Sequence, residues 1–400
     1  MELFVSAGDA SSETHAAAAC EELKRLAPDL KIFGLGGDRL AAAGAELLMH
    51  CREFSVGGGP LEVIGKLPKR YRLEGKVEER LFAKRPDAAL LVDNGEINLR
   101  LASLLHFFKV PVVYYIPPKV WVWRPGRLED IALHCAKVLS ILPFEKPIYE
   151  EWGIPFDYVG NPLLDELPLA LTAPEARRRL GIEGDRPAVA VLPGSRHSEI
   201  RFHTGVFTEA LARFAAETKA LPEALRDPLF LVPIPPSVDF DAVSKGFTGL
   251  DFRFFRGMSH ECLKASRAAL IKSGTSTLEA GVLGTPMVIA YQSGKLARFI
   301  FHHIMRYRHH VGMVNLFLAP EGPAVVEELI LERCTPEQLS RGLMDVYVDG
   351  EKRSRQLKEL ARALDLLKPP SRLGASPSAA VAGALYKAAQ EKAQPIGFPV

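Results

Sequence analysis

Short, continuous apolar segments alternate along the first part of the chain with longer segments of helical periodicity. The apolar segments predict buried strands at residues 2–7, 31–35, 88–92, 112–116 and 137–142. After the first of them Gly8 breaks the strand, and residues 9–12 predict the cap of an alanine-rich helix over 13–26. Strands that alternate with helices form parallel sheets covered on both faces, so this part predicts a doubly wound α/β domain.

The same pattern starts again after a connector at residues 160–174. A second set of buried strands is predicted at 188–192, 229–233, 252–255, 268–271 and 287–291. We therefore predict two Rossmann-like domains, over residues 1–165 and 175–365. In both halves polar, glycine-rich segments follow the strands, at the edge where open α/β sheets bind ligands. Two such domains facing each other across a cleft would suit an enzyme with two substrates.

Composition narrows the class of protein. Hydrophobic residues make up 48% and charged residues 24% of the chain, and the formal net charge is +2. This balance is typical of a soluble protein and gives no field that would attract nucleic acid. The scattered cysteines form no C-x-x-C pair, which disfavours a zinc site or a disulfide framework and favours a reducing compartment. We predict no signal peptide and no membrane-spanning helix, so a membrane would be met only from its surface.

One glycine-containing junction follows the strand at 188–192. Gly194 allows a close backbone approach, and Ser195 with the next helix N-terminus can hold phosphate oxygens. Arg196 can reach a diphosphate with two parallel hydrogen bonds, and Glu199 follows one turn later. A simple helix N-cap with a solvent-exposed arginine remains an equal alternative.

A second junction follows the strand at 268–271. Ser273 and Thr275 are good helix caps, and Gly274 permits a tight approach. Glu279 lies one helical turn past Thr275, where its carboxylate can accept hydrogen bonds from both hydroxyls of a ribose. Two such junctions in one domain indicate a nucleotide diphosphate sugar, although neither is a Walker loop. The glycines at 34–37 lack the spacing of a dinucleotide fingerprint and predict a turn.

The strand at 88–92 ends in Asp93, with Glu96 shortly after it. A carboxylate at this edge of a sheet can take a proton from an attacking hydroxyl. The alternative is an Asp-Asn-Gly turn with Asn98 capping the next helix, and the spacing alone does not separate the two.

A basic, amphipathic segment runs over residues 60–85. If it is exposed, it would dock on an anionic lipid surface. An ordinary surface helix with its apolar side in the core is the alternative, and Gly65 and Pro68 weaken a continuous helix. The residues predicted to face a membrane or a lipid acceptor are Val63, Ile64, Leu67, Lys69, Arg70 and Tyr71.

Two further segments carry ambiguous chemistry. Trp121 and Trp123 would stack on a sugar or base, or pack in a core. Residues 298–310 are rich in histidine and arginine. His302 and His309 are roughly 10 Å apart along a helix, too far to share one metal ion. We predict either a cationic face that contacts phosphate or headgroups, or a solvated face.

Short blocks of residues along the chain occur in a characteristic order and spacing. They are Ser6-Ala7-Gly8, Leu61-Glu62-Val63, Val92-Asp93 with Asn98, Pro118 with Val120 and Trp121, Leu142-Pro143-Phe144-Glu145, Gly160 with Pro162, Leu192-Pro193-Gly194-Ser195-Arg196 with Glu199, Ser273-Gly274-Thr275 with Leu278-Glu279, Pro286-Met287-Val288 and Asn315-Leu316. Together they resemble the lipid A disaccharide synthase family, over about residues 3–385.

The resemblance implies a GT-B fold and an inverting glycosyltransferase. The donor would be UDP-2,3-diacylglucosamine and the acceptor 2,3-diacylglucosamine 1-phosphate, giving a β-1,6-linked disaccharide 1-phosphate and UDP. By position Asp93 would be the base that deprotonates the acceptor's 6-hydroxyl, and Asp9 would lie near the sugar. The UDP-sugar site would comprise Gly194, Ser195, Arg196, Glu199, Ser273, Gly274, Thr275, Glu279 and Asn315. No metal or other cofactor is expected.

The resemblance also implies a role for each part of the chain. Residues 1–165, completed by 370–400, would face the acceptor and the membrane, and residues 175–365 would bind the UDP-sugar. The protein would be cytoplasmic and peripherally attached to the inner membrane. The family's C-terminal segment helps to build a dimer, so residues 379–389 would do so here.

The chain departs from the family pattern in several places, and two of them are loops that carry candidate catalytic residues. The family's first loop reads Gly-Glu-x-Ser-Gly-Asp. Here the first acid is the shorter Asp9 and the last acid is the longer Glu13. The family's Pro-Asp-Phe-Asn is replaced by residues 95–98, Gly-Glu-Ile-Asn. These changes motivate the alternative that the chain is a non-catalytic relative, which binds UDP-sugar without turnover. Another GT-B enzyme, such as a UDP-N-acetylglucosamine epimerase, is a further alternative, but it would not need the segment at 60–85.

Overall fold

The computed structural model describes residues 1–54, 67–120, 126–294, 298, 310–373 and 376–393, and it leaves out the side chains of residues 10, 67–70, 372, 392 and 393. The chain divides into two compact units. Unit 1 comprises Met1–Asp165 and the segment from Leu367 onward, and unit 2 comprises Glu166–Leu366.

Unit 1 is built on a seven-stranded sheet in the order β3-β2-β1-β4-β5-β6-β7. Every neighbouring pair is parallel. The strands are β1 Glu2–Ala7, β2 Lys31–Gly36, β3 Ala45–His50, β4 Ala88–Val92, β5 Val112–Tyr115, β6 Lys137–Ser140 and β7 Phe156–Tyr158.

Helices cover both faces of this sheet because successive strand residues point to opposite sides. Phe4 and Leu91 pack on one side against Leu73 and Leu101, while Leu3 and its neighbours pack on the other against the first and last helices. The helices of unit 1 are α1 Ala10–Leu26, α2 Asp38–Ala42, α3 Cys51–Phe54, α4 Leu67–Ala83, α5 Gly95–Phe107, α6 Arg127–His134, α7 Lys146–Glu151 and the C-terminal α18 Pro377–Ala393. Helix α18 packs along α1.

Unit 2 is built on a six-stranded parallel sheet in the order β10-β9-β8-β11-β12-β13. Its strands are β8 Ala188–Leu192, β9 Leu229–Ile234, β10 Phe252–Arg256, β11 Ala268–Lys272, β12 Met287–Tyr291 and β13 Glu328–Ile330. Its helices are α9 Ala173–Arg179, α10 His197–Thr218, α11 Phe240–Ser244, α12 Ser259–Ala265, α13 Ser276–Val282, α14 Met313–Leu318, α15 Pro336–Tyr347 and α16 Glu351–Leu360. Two short helices, α8 Leu163–Glu166 and α17 Ala363–Leu367, contain the boundaries between the units.

The predicted strands are all present, with ends that differ by at most two residues. In the part of the chain that the structure describes, three strands escaped prediction: β3, β7 and β13. They lie at sheet edges, β7 and β13 have only three residues, and β3 is mostly half-buried, so none has a continuous apolar segment. The turn predicted at 34–37 is also wrong. Strand β2 continues to Gly36, and a Cβ on Gly34 would lie 1.9 Å from the carbonyl oxygen of Val5.

Each sheet changes direction of winding at its first strand. In unit 1 the chain moves outward on both sides of the β1–β4 pair, where Ala7 is paired with Val92. In unit 2 the equivalent pair is β8–β11, where Leu192 is paired with Ile271. Loops that leave the carboxyl ends of such neighbouring strands diverge and leave a crevice for ligands.

Candidate active site and nucleotide site

Asp9 lies directly after β1 and caps α1. Its Oδ1 accepts hydrogen bonds from the backbone amides of Ser11 at 3.0 Å and Ser12 at 2.9 Å. The Ser12 hydroxyl in turn accepts from the Asp9 backbone amide, which completes a capping box. The predicted cap is confirmed, and the helix begins at Ala10, three residues earlier than predicted.

Asp93 lies directly after β4 in a loop with an uncommon backbone. Asp93 and Asn94 both have positive φ, at 51° and 43°, a region that non-glycine residues seldom occupy. Three hydrogen bonds hold the Asp93 backbone: its amide donates to Tyr115 O at 3.0 Å, and its carbonyl accepts from the Tyr114 hydroxyl at 2.9 Å and from Asn98 Nδ2 at 2.8 Å. These bonds fix the backbone from which the carboxylate projects.

Asn98 does not cap the following helix as the turn alternative predicts. The position before that helix belongs to Asn94, which makes no side-chain cap bond. Asn98 is fully buried, and its amide oxygen accepts from the Ser6 hydroxyl at 2.7 Å. It thereby ties the β1 end to the β4 end.

The loops that carry Asp9 and Asp93 are in direct contact. A Cβ built on Gly8 would lie 1.9 Å from Nδ2 of Asn94, so only glycine fits between the two loops. Asp93 is exposed, but the surrounding protein removes part of its water, and this desolvation raises the pKa of its carboxyl. The negative charge of Asp9 raises this pKa further, and Lys119 opposes the rise.

Glu96 is held differently from Asp93. Its carboxylate forms an ion pair with Arg127, whose side chain is largely buried. Gly95, between the two acids, packs against Pro118, because a Cβ there would lie 2.9 Å from the proline side chain. Of the two carboxylates at this strand end, Asp93 is the better placed to accept a proton.

A cavity of about 370 Å³ opens at the β8–β11 pair of unit 2. This volume lies in the range of sites for small ligands and cofactors. Seven of the predicted nucleotide-site residues line it: Gly194, Ser195, Glu199, Ser273, Gly274, Thr275 and Glu279. The structure thus brings both glycine-containing junctions to one cavity.

Lys272 also lines this cavity, although the sequence did not single it out as a site residue. Its Nζ donates to Oε1 of Glu199 at 2.8 Å, and the other carboxylate oxygen accepts from the Ser195 amide at 3.0 Å. Burial would raise the pKa of Glu199, but these hydrogen bonds and the charges of Lys272 and Arg196 outweigh it and lower the pKa. Lys272 is the last residue of β11, a position that carries no sequence signal of a binding site. Its role becomes visible only because β11 pairs with β8.

The two junctions are capped differently from the prediction. Arg196 is the residue before α10, and its exposed side chain makes no cap bond and does not line the cavity. Thr275 precedes α13 and makes no cap bond either, while the Ser273 hydroxyl donates to Val311 O at 2.7 Å. Ser273 therefore binds the backbone just before α14 rather than the start of α13.

Asn315 is not among the residues that line this cavity. It is fully buried, and its Nδ2 donates to Val326 O at 2.8 Å and to Glu328 Oε1 at 2.7 Å. Its Oδ1 accepts from the amides of Val325 and Val326 at 3.1 and 2.9 Å. A contact from this side chain to a nucleotide would have to break one of these bonds, because all its donors and acceptors are engaged.

Glu279 faces the cavity with a histidine beside it. His260 Nε2 lies 3.4 Å from Glu279 Oε2. The hydrogen bond to Glu279 raises the pKa of His260, and burial opposes this rise. The pair holds the Glu279 carboxylate at the cavity wall.

Part of the predicted membrane-facing set lies outside the described residues, namely Val63 and Ile64. Leu67, Lys69 and Arg70 lie in α4, but their side chains are not described. Tyr71, on the same helix, is 68% exposed. Trp121, Trp123 and the histidines at 302–309 also lie outside the description.

Within the described ranges, no helix is long and apolar enough to cross a membrane. The same ranges contain no group of three or more histidine, cysteine, aspartate or glutamate residues that could hold a metal ion.

Solved structures with low sequence identity share this architecture. The calicheamicin glycosyltransferase CalG4 superposes with a TM-score of 0.58 at 16% identity, covering 98% of this chain and 99% of that one. MurG of Acinetobacter baumannii superposes with a TM-score of 0.57 at 11% identity, covering 96% and 99%. At this identity the likeness shows the fold alone, and it confirms the predicted GT-B fold.

Sequence relatives are closer. The family model for lipid-A-disaccharide synthetase matches residues 3–376. The lipid-A-disaccharide synthase of Myxococcus xanthus is 38% identical over 361 residues, which cover 90% of this chain and 91% of the relative. That of Koribacter versatilis is 31% identical over 401 residues, covering 98% and 100%. This chain therefore belongs to the lipid-A-disaccharide synthase family, the glycosyltransferases of lipid A biosynthesis.

Proposed function

We propose that this enzyme transfers 2,3-diacylglucosamine from its UDP donor to the 6-hydroxyl of 2,3-diacylglucosamine 1-phosphate. The acceptor oxygen forms a bond to C1 of the donor sugar while the bond from C1 to the diphosphate breaks. UDP leaves with the bonding electrons, and the hydroxyl proton passes to a base. The products are the β-1,6-linked disaccharide 1-phosphate and UDP, with inversion at C1.

Asp93 is the base, and its setting is the observation that carries the proposal. Its carboxylate is exposed at the carboxyl end of the β1–β4 pair, the switch point where the sheet changes its direction of winding. The backbone of its loop is held by three hydrogen bonds. A base with a raised pKa removes a proton from a hydroxyl more effectively than an ordinary aspartate, provided that it is ionised. Asp9 raises this pKa and lies at the same edge of the sheet.

The cavity of unit 2 binds the UDP part of the donor. Glu279 accepts hydrogen bonds from the ribose hydroxyls, and Ser195 with Lys272 contacts the diphosphate. Positive charge from Lys272 and Arg196 stabilises the negative charge that develops on the leaving diphosphate. With these groups in place we expect transfer to need no divalent metal.

The test is a transfer assay in detergent with EDTA present and the product identified by mass spectrometry. We expect disaccharide 1-phosphate and UDP in equal amounts. If a folded protein that binds UDP yields no disaccharide, the non-catalytic alternative replaces this proposal. If product forms only after magnesium is restored, Lys272 and Arg196 do not suffice to stabilise the leaving diphosphate.

Two further parts of the proposal concern location and assembly. We place the enzyme at the cytoplasmic surface of the inner membrane, with the part of the 60–85 segment up to Tyr71 contacting lipid, which the exposure of Tyr71 supports. The rest of α4 follows the alternative of an ordinary surface helix, because Leu73, Val77 and Leu81 are buried in the core of unit 1. Replacing Ile64, Leu67 and Tyr71 with serine should move the protein to the soluble fraction at an unchanged melting temperature. Loss of folding would instead assign these residues to the core.

The dimer implied for the C-terminal segment is also proposed. Val381 and Leu385 of α18 are already buried within unit 1 of their own chain. A dimer through this helix would therefore have to use its other side or exchange it between copies. Light scattering after size-exclusion chromatography distinguishes a dimer from a monomer.

A further inference from the structure

The Glu199 carboxylate binds two donors at the rim of the unit 2 cavity. Its Oε2 accepts from the Ser195 amide at 3.0 Å, and its Oε1 accepts from Lys272 Nζ at 2.8 Å. Ser195 follows the end of β8 and Lys272 ends β11, and these strands are paired. A backbone amide and a lysine ammonium that converge on one anion are the donor set that proteins use for phosphate.

We propose that Glu199 competes with the nucleotide diphosphate for the Ser195 amide and the Lys272 ammonium, so that the diphosphate binds by displacing this carboxylate. The inference rests on the proposed function, because it assumes that UDP occupies this cavity. Glu199 is then a specificity-determining residue: a ligand must bring its own negative charge to take its place. A neutral nucleoside cannot replace the carboxylate and leaves the Lys272–Glu199 pair intact.

Gly194 supports this role of Glu199. It has a φ of +136°, and a Cβ built on it would lie 2.7 Å from Cβ of Glu199 and 2.9 Å from its Oε2. The absence of a side chain at Gly194 is what lets the carboxylate fold back over the loop. The sequence predicts that this glycine serves the approach of a ligand, and the structure adds that it serves an internal carboxylate.

The electrostatics of the pair make exchange feasible. The Lys272 and Glu199 side chains are 14% and 19% exposed, so each charge depends on a partner. An incoming diphosphate keeps Lys272 paired, while Glu199 in the first turn of α10 remains stabilised by the helix N-terminus and by Arg196.

His203 keeps the backbone in place during such an exchange. It is fully buried, its Nδ1 donates to Glu199 O at 2.7 Å, and its Nε2 accepts from the Gln292 amide at 2.9 Å. The Glu199 main chain is thereby fixed to the end of β12, and only the side chain has to move.

The test compares the affinities of UDP and uridine by isothermal titration calorimetry for the wild type and Glu199→Gln. Removing one negative charge beside an anion site should tighten UDP binding by about tenfold and leave uridine binding unchanged. Glu209→Gln, on an exposed part of the same helix, is the matched control and should change neither affinity. Unchanged or weaker UDP binding to folded Glu199→Gln would overturn the inference.

Lys272→Met is a second test of the inference, which applies even if Glu199→Gln does not fold. If Glu199 yields Lys272 to the diphosphate, this variant should lose UDP affinity by at least about tenfold while uridine still binds. If Glu199 retains Lys272 permanently, UDP affinity will hardly change, and the inference fails while the proposed function stands. If none of these proteins binds UDP, the nucleotide site itself is wrong.

Discussion

The β1–β4 edge of unit 1 and the β8–β11 edge of unit 2 have the same topology but opposite electrostatics. At the first, burial and then the negative charge of Asp9 raise the pKa of Asp93. At the second, each carboxylate has a basic partner: Glu199 is paired with Lys272, and Glu279 with His260. Like charges at a strand end favour proton uptake, whereas balanced pairs suit the binding of an anion. Under the proposed function, the same architecture thus serves for a base in unit 1 and for a nucleotide site in unit 2.

The largest expected effect comes from removing the base. Asp93→Asn should lower kcat by about a thousandfold, since general base catalysis contributes roughly 10²- to 10⁴-fold. Glu96→Gln is the matched control, because Glu96 lies three residues further on, in the first turn of α5, and is paired with Arg127. This variant should retain most of the activity. Equal losses in both variants, measured by initial rates of disaccharide formation, would remove the distinction between the two carboxylates.

The contact between the Asp9 and Asp93 loops predicts a second effect. Gly8→Ala would place a Cβ 1.9 Å from Asn94 Nδ2 and displace the Asp93 loop. We expect a loss of about 1–3 kcal/mol in the free energy of unfolding, as for other overpacked sites, and a lower kcat. Gly75→Ala in the exposed part of α4 meets no atom within 4 Å and should be neutral or stabilising. Denaturant unfolding measures both; an unaffected Gly8→Ala would mean the loops are not tightly packed.

A smaller effect concerns pH. Asp9 raises the pKa of Asp93, so Asp9→Asn should lower it. The base then stays ionised to lower pH, and the acid limb of the kcat/KM profile should move to lower pH. Asparagine is also a good N-cap, so α1 should remain capped. An acid limb that stays in place or moves upward would contradict the coupling of the two carboxylates.

The smallest effect belongs to the His260–Glu279 pair. The pKa of His260 is raised in the folded protein, so the stabilisation is fully present below its unfolded pKa and is lost as pH rises through the folded value. As pH rises from the unfolded to the folded pKa of His260, the free energy of unfolding of the wild type should fall by a few tenths of a kcal/mol relative to that of His260→Gln. This size is expected for a partly exposed pair. Thermal unfolding across this pH range tests it, and parallel curves would refute it.

Burial explains which elements the sequence predicted well. Strands β1, β4 and β8 are buried along their whole length, so their apolar segments are continuous. The short edge strand β13 has only one buried residue and carries Glu328, which accepts a hydrogen bond from Asn315. Its identity depends on a partner strand that local periodicity does not reveal.

The candidate site residues also divide into those that the sequence indicates and those that it does not. Asp93 and the glycine-containing junctions follow predicted strands, so the sequence alone indicated them. Lys272 could not be assigned, because its partner Glu199 is 73 residues away in the chain. Asn98 and Asn315 show a related limit of the sequence. Both asparagines match family blocks, but both are buried and bind backbone groups within their own unit. Spacing along the chain does not distinguish such a structural amide from one that contacts a ligand.

The central claim is that the base and the nucleotide site belong to different switch points. Calorimetric titration of UDP into Asp93→Asn tests it most directly, because this variant removes the base and leaves every residue of the unit 2 cavity unchanged. The account predicts a dissociation constant within about twofold of the wild type in a protein whose rate of sugar transfer has fallen by about a thousandfold. A dissociation constant raised tenfold or more would mean that Asp93 takes part in nucleotide binding, and the division between the two sites would be wrong.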